Sequence, residues 1–246
     1  MKNLKPKSFV IMAILFVLIF VFSGCGDSEG DDHTHVWQWA ETSDGIETGT
    51  CPDCGETTMR LTLDIGDTGP GGGIIFYRSK AGFTVQGYTG TTGSFDEYQA
   101  HYLEAAPVDE GSAYWGWSVH YLYVSITTIK NEDRDKEAII GNGRKDTQII
   151  ANYLNDNTTE TGRAAQLCSS VLHGGKNDWF IPSFGELNEL CKIRGQYGIP
   201  ATGLYWSSSW GGSATTVWCY NFADGDKSFV NATTVSPLNV RAIRAF

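Results

Sequence analysis

The sequence predicts an α+β fold with about three helices and short, mostly antiparallel strands. Three observations predict it. Apolar residues recur at helical spacing in three successive stretches between residues 146 and 191. The stretches after them are short, rich in Trp, Tyr, Val and Phe, and separated by Gly-rich or Asp-Gly turns, the pattern of hairpin strands. The chain also carries 29 Gly and 8 Trp against 3 Met in 246 residues, which marks a turn-rich fold packed with aromatic rings.

The elements follow in order. Ile65-Gly66-Asp67-Thr68-Gly69-Pro70-Gly71-Gly72-Gly73 leads into a strand at Ile74-Ile75-Phe76-Tyr77. A phosphate loop follows a strand and opens a helix, so this Gly-rich turn is not one, and its two Gly-x-y triplets are too few for collagen. Tyr102–Ala106 and Tyr114–Val119 read as strands. Asp146 is placed to cap a helix carrying Ile149, Ile150, Tyr153 and Leu154. A second helix, Arg163–Leu172, puts Ala165, Cys168 and Leu172 on one face. Ser183-Phe184-Gly185-Glu186 is a capping box after Pro182, and its helix carries Leu187, Leu190 and Cys191 at i, i+3 and i+4. Past Gly198 and Pro200 the pattern turns to strands at Leu204–Ser209, Thr216–Phe222 and Lys227–Asn231. Asn239–Phe246 is apolar on both faces and is expected as a central strand.

The N-terminus has a separate logic. Lys2, Lys5 and Lys7 precede an apolar run, Phe9–Phe22, of 14 residues. That is a signal-peptide h-region, short of the ~20 residues that span a bilayer. Phe22-Ser23-Gly24-Cys25 resembles a bacterial lipobox, which implies acylation of Cys25 and cleavage before it; an uncleaved anchor or a plain signal peptide are the alternatives. The expected division is a signal at 1–24, an acidic stalk at 25–60 and a domain at 61–246. Loss of residues 1–24 removes three lysines and no acid, moving the net charge from −10 to −13. The stalk holds nine acids and one base, Arg60, so much of the negative charge lies there. Phosphate neutralisation needs clustered Lys and Arg, so nucleic acid is a poor partner class. The expected location is the bacterial envelope, outside the cytoplasm, held to the membrane by lipid.

Residues 26–32 read as a flexible spacer. Beyond them, His33, His35, Cys51 and Cys54 offer two imidazoles and two thiols, the last pair in the tight turn Cys51-Pro52-Asp53-Cys54-Gly55. Three readings stand: a tetrahedral zinc site, a Cys51–Cys54 disulfide, or neither. The segment resembles short His-Trp…Cys-x-x-Cys-Gly modules of bacterial surface proteins.

Within the domain, Ile65–Tyr77, Leu103-Glu104-Ala105-Ala106-Pro107, Ile140-Gly141-Asn142-Gly143, Ala164-Ala165-Gln166-Leu167-Cys168, Asp178-Trp179-Phe180-Ile181-Pro182-Ser183, Glu186-Leu187, Tyr205-Trp206-Ser207-Ser208-Ser209 and Val240-Arg241-Ala242-Ile243-Arg244-Ala245-Phe246 come in an order that resembles the Lcl C-terminal domain family. The resemblance implies an exported adhesive or ligand-binding domain related in fold to C-type lectins and formylglycine-generating enzymes, without an agreed enzyme activity. The collagen-like adhesin that names the family binds sulfated polysaccharides. Here the domain is itself acidic and its bases are scattered, so a neutral sugar or a protein is the expected ligand class.

Three kinds of site chemistry bear on the domain. For catalysis, His101, His120 and His173 accompany Ser207, Ser208 and Ser209, but no Gly-x-Ser-x-Gly elbow is present. Cys168, Cys191 and Cys219 sit in apolar contexts and read as buried thiols. For calcium, Asn131–Asp135 reads as a solvated loop and Asp224-Gly225-Asp226 as a hairpin turn. For recognition, Trp210, Tyr220 and Phe229 offer stacking faces, with Asn221, Asp224 and Asn231 for polar contacts, whereas Trp179, Trp206 and Trp218 read as core. Trp210, in a Ser-Trp-Gly-Gly context, is expected at the surface. The expected function is non-catalytic recognition of an extracellular carbohydrate or protein by a lipid-anchored protein. An enzyme of the formylglycine-generating type or a hydrolase, and an envelope lipoprotein without a discrete ligand, are the rival classes.

Overall fold

Three helices and eleven mostly antiparallel strands, arranged in three sheets, make an α+β fold among the described residues. The computed structural model describes residues 34–116, 140–211, 215–232 and 236–246. The lipobox with Cys25, His33, His120 and the acidic run Asn131–Asp135 lie outside them. Contacts divide the chain into Met1–Val36 and Trp37–Phe246, and the elements below belong to the second unit. No helix of the described residues is long and apolar enough to cross a membrane.

The first sheet is an antiparallel meander of β1 (Gln38–Ser43), β2 (Ile46–Thr50) and β3 (Thr57–Leu61). It occupies part of the segment expected as stalk. Apart from Gly49 its residues are exposed or half-buried, and Arg60 lies over the Trp39 ring at 4.1 Å. The Gly-rich turn then feeds β4 (Ile74–Val85), which pairs with β5 (Tyr98–Ala105). Gly73 is required there: a Cβ would stand 2.2 Å from the Ala105 carbonyl oxygen.

The three helices are α1 (Gly143–Asn157), α2 (Ala164–Ser170) and α3 (Phe184–Lys192). In α3 the capping box forms as expected: the Ser183 hydroxyl accepts from the Glu186 N–H and the Glu186 carboxylate accepts from the Ser183 N–H. Leu187, Leu190 and Cys191 are buried on its inner face. Two expectations change. Asp146 is not the cap of α1, which starts three residues earlier; it lies in the first turn, buried, with its carboxylate accepting from Ser208 Oγ at 3.3 Å. Leu172 lies beyond the end of α2 and is 65% exposed, because the helix stops at Ser170.

The largest sheet has the order β6 (Ser112–Ala113), β10 (Leu238–Asn239), β7 (Leu204–Trp210), β8 (Thr216–Asn221) and β9 (Asp226–Asn231). It separates two apolar clusters. Tyr205 packs in one with α3, β4 and β5, and its neighbour Trp206 packs in the other with α1 and α2. Successive side chains of a strand point to opposite faces, which is why β7 is buried on both. Two indoles tie the sheet together: Trp206 Nε1 donates to the Ala113 carbonyl and Trp115 Nε1 to the Ser207 carbonyl, both at 2.8 Å.

The expected long final strand is in fact two short ones. β10 is internal to the large sheet, while β11 (Ile243–Ala245) pairs with β5 at the side of a three-stranded sheet. Its other side is closed by a reciprocal pair of backbone bonds between Ile243 and Phe180, each 2.8 Å. That explains an apolar pattern on both faces without a central position. Of the expected strand Tyr114–Val119, Tyr114–Gly116 is irregular and residues 117–119 lie outside the described residues; a short strand, Ser112–Ala113, precedes them.

Candidate functional site

Helix α1 builds one wall of a polar cleft. Arg144, Gln148, Asn152 and Asn155 are spaced by four, four and three residues, which stacks them along one helix face. The turn around Thr92–Phe95, joining β4 and β5, stands opposite, and Asn177, Asp178 and Trp179 close the third side. They enclose a cleft of about 340 Å³.

The walls are held by named bonds. Thr92 Oγ1 donates to Asn152 Oδ1 at 3.0 Å, and Asn152 Nδ2 donates to the Thr92 carbonyl at 2.8 Å and to Tyr88 Oη at 3.0 Å. Arg144 lies over the Phe95 ring at 4.1 Å and 5.5 Å from the Tyr98 ring; stacking on a ring face leaves in-plane guanidinium donors available. Asn155 Oδ1 accepts from Gln166 Nε2 at 2.7 Å.

Asp178 is anchored from the core. Arg244 Nε donates to its Oδ1 at 2.5 Å, and Arg244 Nη1 donates to Glu104 Oε1 at 2.9 Å. Glu104 is 0% exposed and also accepts the backbone N–H groups of Gly71 and Gly73. Burial pushes the Glu104 carboxyl above its usual pKa, and Arg244 and those N–H groups pull against it. The Gly-rich turn, the Leu-Glu-Ala-Ala strand and the C-terminal strand are thus joined by one buried carboxylate, which orients Asp178 at the cleft.

The residues selected from sequence fall elsewhere. Trp210 is not at the surface: it is 2% exposed and packs edge-on against Trp115 at 5.2 Å. The strand runs one residue past Ser209, and Trp206 and Trp210 share the apolar cluster packed with α1 and α2. Tyr220 is also buried, stacked on Phe184 at 5.0 Å, with its hydroxyl donating to Asn188 Oδ1 at 2.7 Å. Asn221 and Asp224 bond each other across the β8–β9 turn at 2.7 Å, and Asp224 also accepts from the Asp226 N–H, so they close the hairpin. Phe229 and Asn231 do reach solvent on β9; Phe229 is 55% exposed and meets Trp218 edge-on at 5.4 Å. None of the six lines the cleft. The amides that do line it escaped sequence reading because a polar stripe on a helix reads as its solvated face. The one available signal was that Gln and Asn, not Lys and Glu, fill most of that stripe.

The groups considered for catalysis are engaged in packing. Ser207 Oγ donates to the Trp218 carbonyl at 2.7 Å, Ser208 Oγ bonds Asp146, and Ser209 Oγ accepts the Phe184 N–H at 3.0 Å. Burial raises the pKa of the Cys168, Cys191 and Cys219 thiols, Cys219 to about 11, which keeps them protonated and weakly nucleophilic. His101 Nδ1 is 2.9 Å from the Ser79 carbonyl oxygen, and His173 Nε2 is 2.8 Å from Glu110 Oε1. Of the expected metal ligands, Cys51 and Cys54 stand in the turn between β2 and β3, where the Gly55 N–H donates to the Cys51 carbonyl at 2.8 Å. Both cysteines are thiols, and a pair of sulfurs suits zinc better than calcium or magnesium. No family model matches the chain, and no curated protein matches it.

Proposed function

We propose that this chain is a lipid-anchored protein of a bacterial envelope whose domain recognises an extracellular carbohydrate or protein without transforming it. The observation that carries the reading is the make-up of the cleft beside α1, where Gln148, Asn152, Asn155 and Asn177 supply side-chain amides. An amide donates and accepts hydrogen bonds but neither titrates nor attacks in the working pH range. Such groups fix a ligand's orientation; acid–base or nucleophilic chemistry would call for a paired titratable group or an activated nucleophile. The lipobox at Cys25 supports attachment outside the cytoplasm, since several acyl chains anchor a protein without a spanning helix. In the same reading, zinc held by Cys51 and Cys54, with His33 and His35 as the further ligands expected from sequence, stabilises the small meander.

The test is retention of the full chain, purified in detergent, on arrays of glycans and matrix proteins, with recovered ligand examined by mass spectrometry. The expected result is saturable retention of an unaltered ligand. Cleavage or oxidation of that ligand would replace the reading with the hydrolase or formylglycine-generating alternative.

A further inference from the structure

We infer that the cleft beside α1 is the recognition site itself and that it takes a neutral carbohydrate with adjacent free hydroxyls. The inference rests on the recognition reading and narrows it to a place and a ligand chemistry.

The lining argues against other classes. Small-molecule pockets are mostly apolar with a few polar groups; here amides, hydroxyls and one ion of each sign dominate. A lipid or aromatic metabolite would strand those groups unpaired, at a cost for each. Arg144 and Asp178 leave the lining with no net formal charge, which favours neither a polyanion nor a polycation. What remains is a neutral ligand that presents donors and acceptors side by side. Vicinal hydroxyls do so, and each side-chain amide offers the complementary pair.

The site is also built in advance. Asn152 is fully used in holding the Thr92 turn against α1, so the width of the cleft is set before a ligand arrives. Asn155 has its oxygen engaged by Gln166, which orients its NH₂ group. Asp178 has Oδ1 engaged by Arg244. Gln148 and Asn177 make no side-chain hydrogen bond among the described residues, and both line the cleft. Gly93 completes the arrangement. A Cβ there would stand 2.1 Å from Gln148 Oε1, at a backbone φ of +70°, so a side chain at this position would displace the Gln148 amide and strain the turn. Asn152 and Asn155 thus set the walls before a ligand arrives, and Gln148 and Asn177 supply the vacant donors and acceptors.

The experiment measures binding of the full chain to a panel of dissolved neutral oligosaccharides built on glucose, galactose, mannose and N-acetylglucosamine, by calorimetry. Gln148→Ala, Asn177→Ala and Gly93→Val are compared with Phe229→Ala. At least one sugar is expected to bind, with affinity falling roughly tenfold in Gln148→Ala and in Asn177→Ala, the effect of one or two lost hydrogen bonds. Phe229→Ala is expected to bind as the parent does. Melting temperatures show that both amide variants remain folded, since neither side chain is in the core. Sugar binding that survives both amide substitutions and is lost in Phe229→Ala overturns the cleft assignment while the recognition reading stands. Retention of matrix proteins alone overturns the sugar class, again without harming that reading. Failure to retain any glycan or protein overturns both.

Discussion

Replacing Arg244 by Met tests whether the buried carboxylate network organises both the core and the cleft. The substitution keeps much of the side-chain volume and removes the cation. Glu104, at 0% exposure, is then left with the backbone N–H groups of Gly71 and Gly73, and Asp178 loses its 2.5 Å anchor. Removing one partner of a buried pair costs about 3–5 kcal/mol, because the other charge stays desolvated. For a unit of this length each kcal/mol lowers the melting temperature by about 2–4 °C, so a fall of roughly 6–20 °C is expected. The pH dependence supplies a sharper signature. The Glu104 carboxyl already sits above its usual pKa through burial, and Arg244 is the main opposing influence. Without that cation its folded pKa rises further. A carboxyl with a raised folded pKa binds protons more readily in the folded state, so stability is lost as pH rises from the unfolded value through the folded one. The deficit of Arg244→Met is therefore larger at pH 8 than at pH 5. Urea unfolding at both pH values, with Glu104→Gln and the double variant completing a cycle, measures it. A loss below about 1 kcal/mol, or a double variant as unstable as the two single losses added together, would refute the buried-pair reasoning.

Three other outcomes follow from the same structure. Asp146 is pushed up to about 7 by burial, with Glu186 beside it adding to the effect and Ser208 opposing it; by the same sign, its charge destabilises the fold above pH 7 by roughly 4 kcal/mol at most. Asp146→Asn keeps an oxygen for Ser208, so unfolding at pH 8 should show a gain that vanishes near pH 4, and an unchanged pH profile would contradict this. Trp210→Ala is expected to cost about 3–5 kcal/mol, as a large buried ring lost against Trp115, and a melting temperature within 2 °C of the parent would return Trp210 to the surface. Metal analysis of the full chain purified without chelators should find one zinc per chain, lost in Cys54→Ser; a metal-free chain with a Cys51–Cys54 disulfide would reject the metal site.

What the sequence made legible was local. The capping box at Ser183 and the i, i+3, i+4 spacing of Leu187, Leu190 and Cys191 carry their signal within one helix, and α3 forms as written. The Gly-rich approach to Ile74 was readable too, because a turn before a strand is a short-range pattern. The misreadings arise where distant segments decide. The glycines after Trp210 suggest a surface position, but the strand outlasts Ser209 and the ring packs against Trp115. Asp146 resembled a cap because it precedes the apolar run, yet its partner is Ser208, 62 residues away. Arg244 and Glu104 are 140 residues apart, so their pairing has no local trace. The cleft is the extreme case: it is assembled from a hairpin turn, a helix face and a loop, and its amides look like ordinary solvated positions until those three meet.

The cleft beside α1 is the proposed seat of the ligand. Hydrogen–deuterium exchange of the full chain, with and without the ligand retained on the arrays, tests it directly. Slowed exchange is expected at residues 92–95, along α1 from Arg144 to Asn155, and at residues 177–179, with β9 unchanged. Slowed exchange confined to β9 around Phe229, with those three segments unaltered, would contradict it.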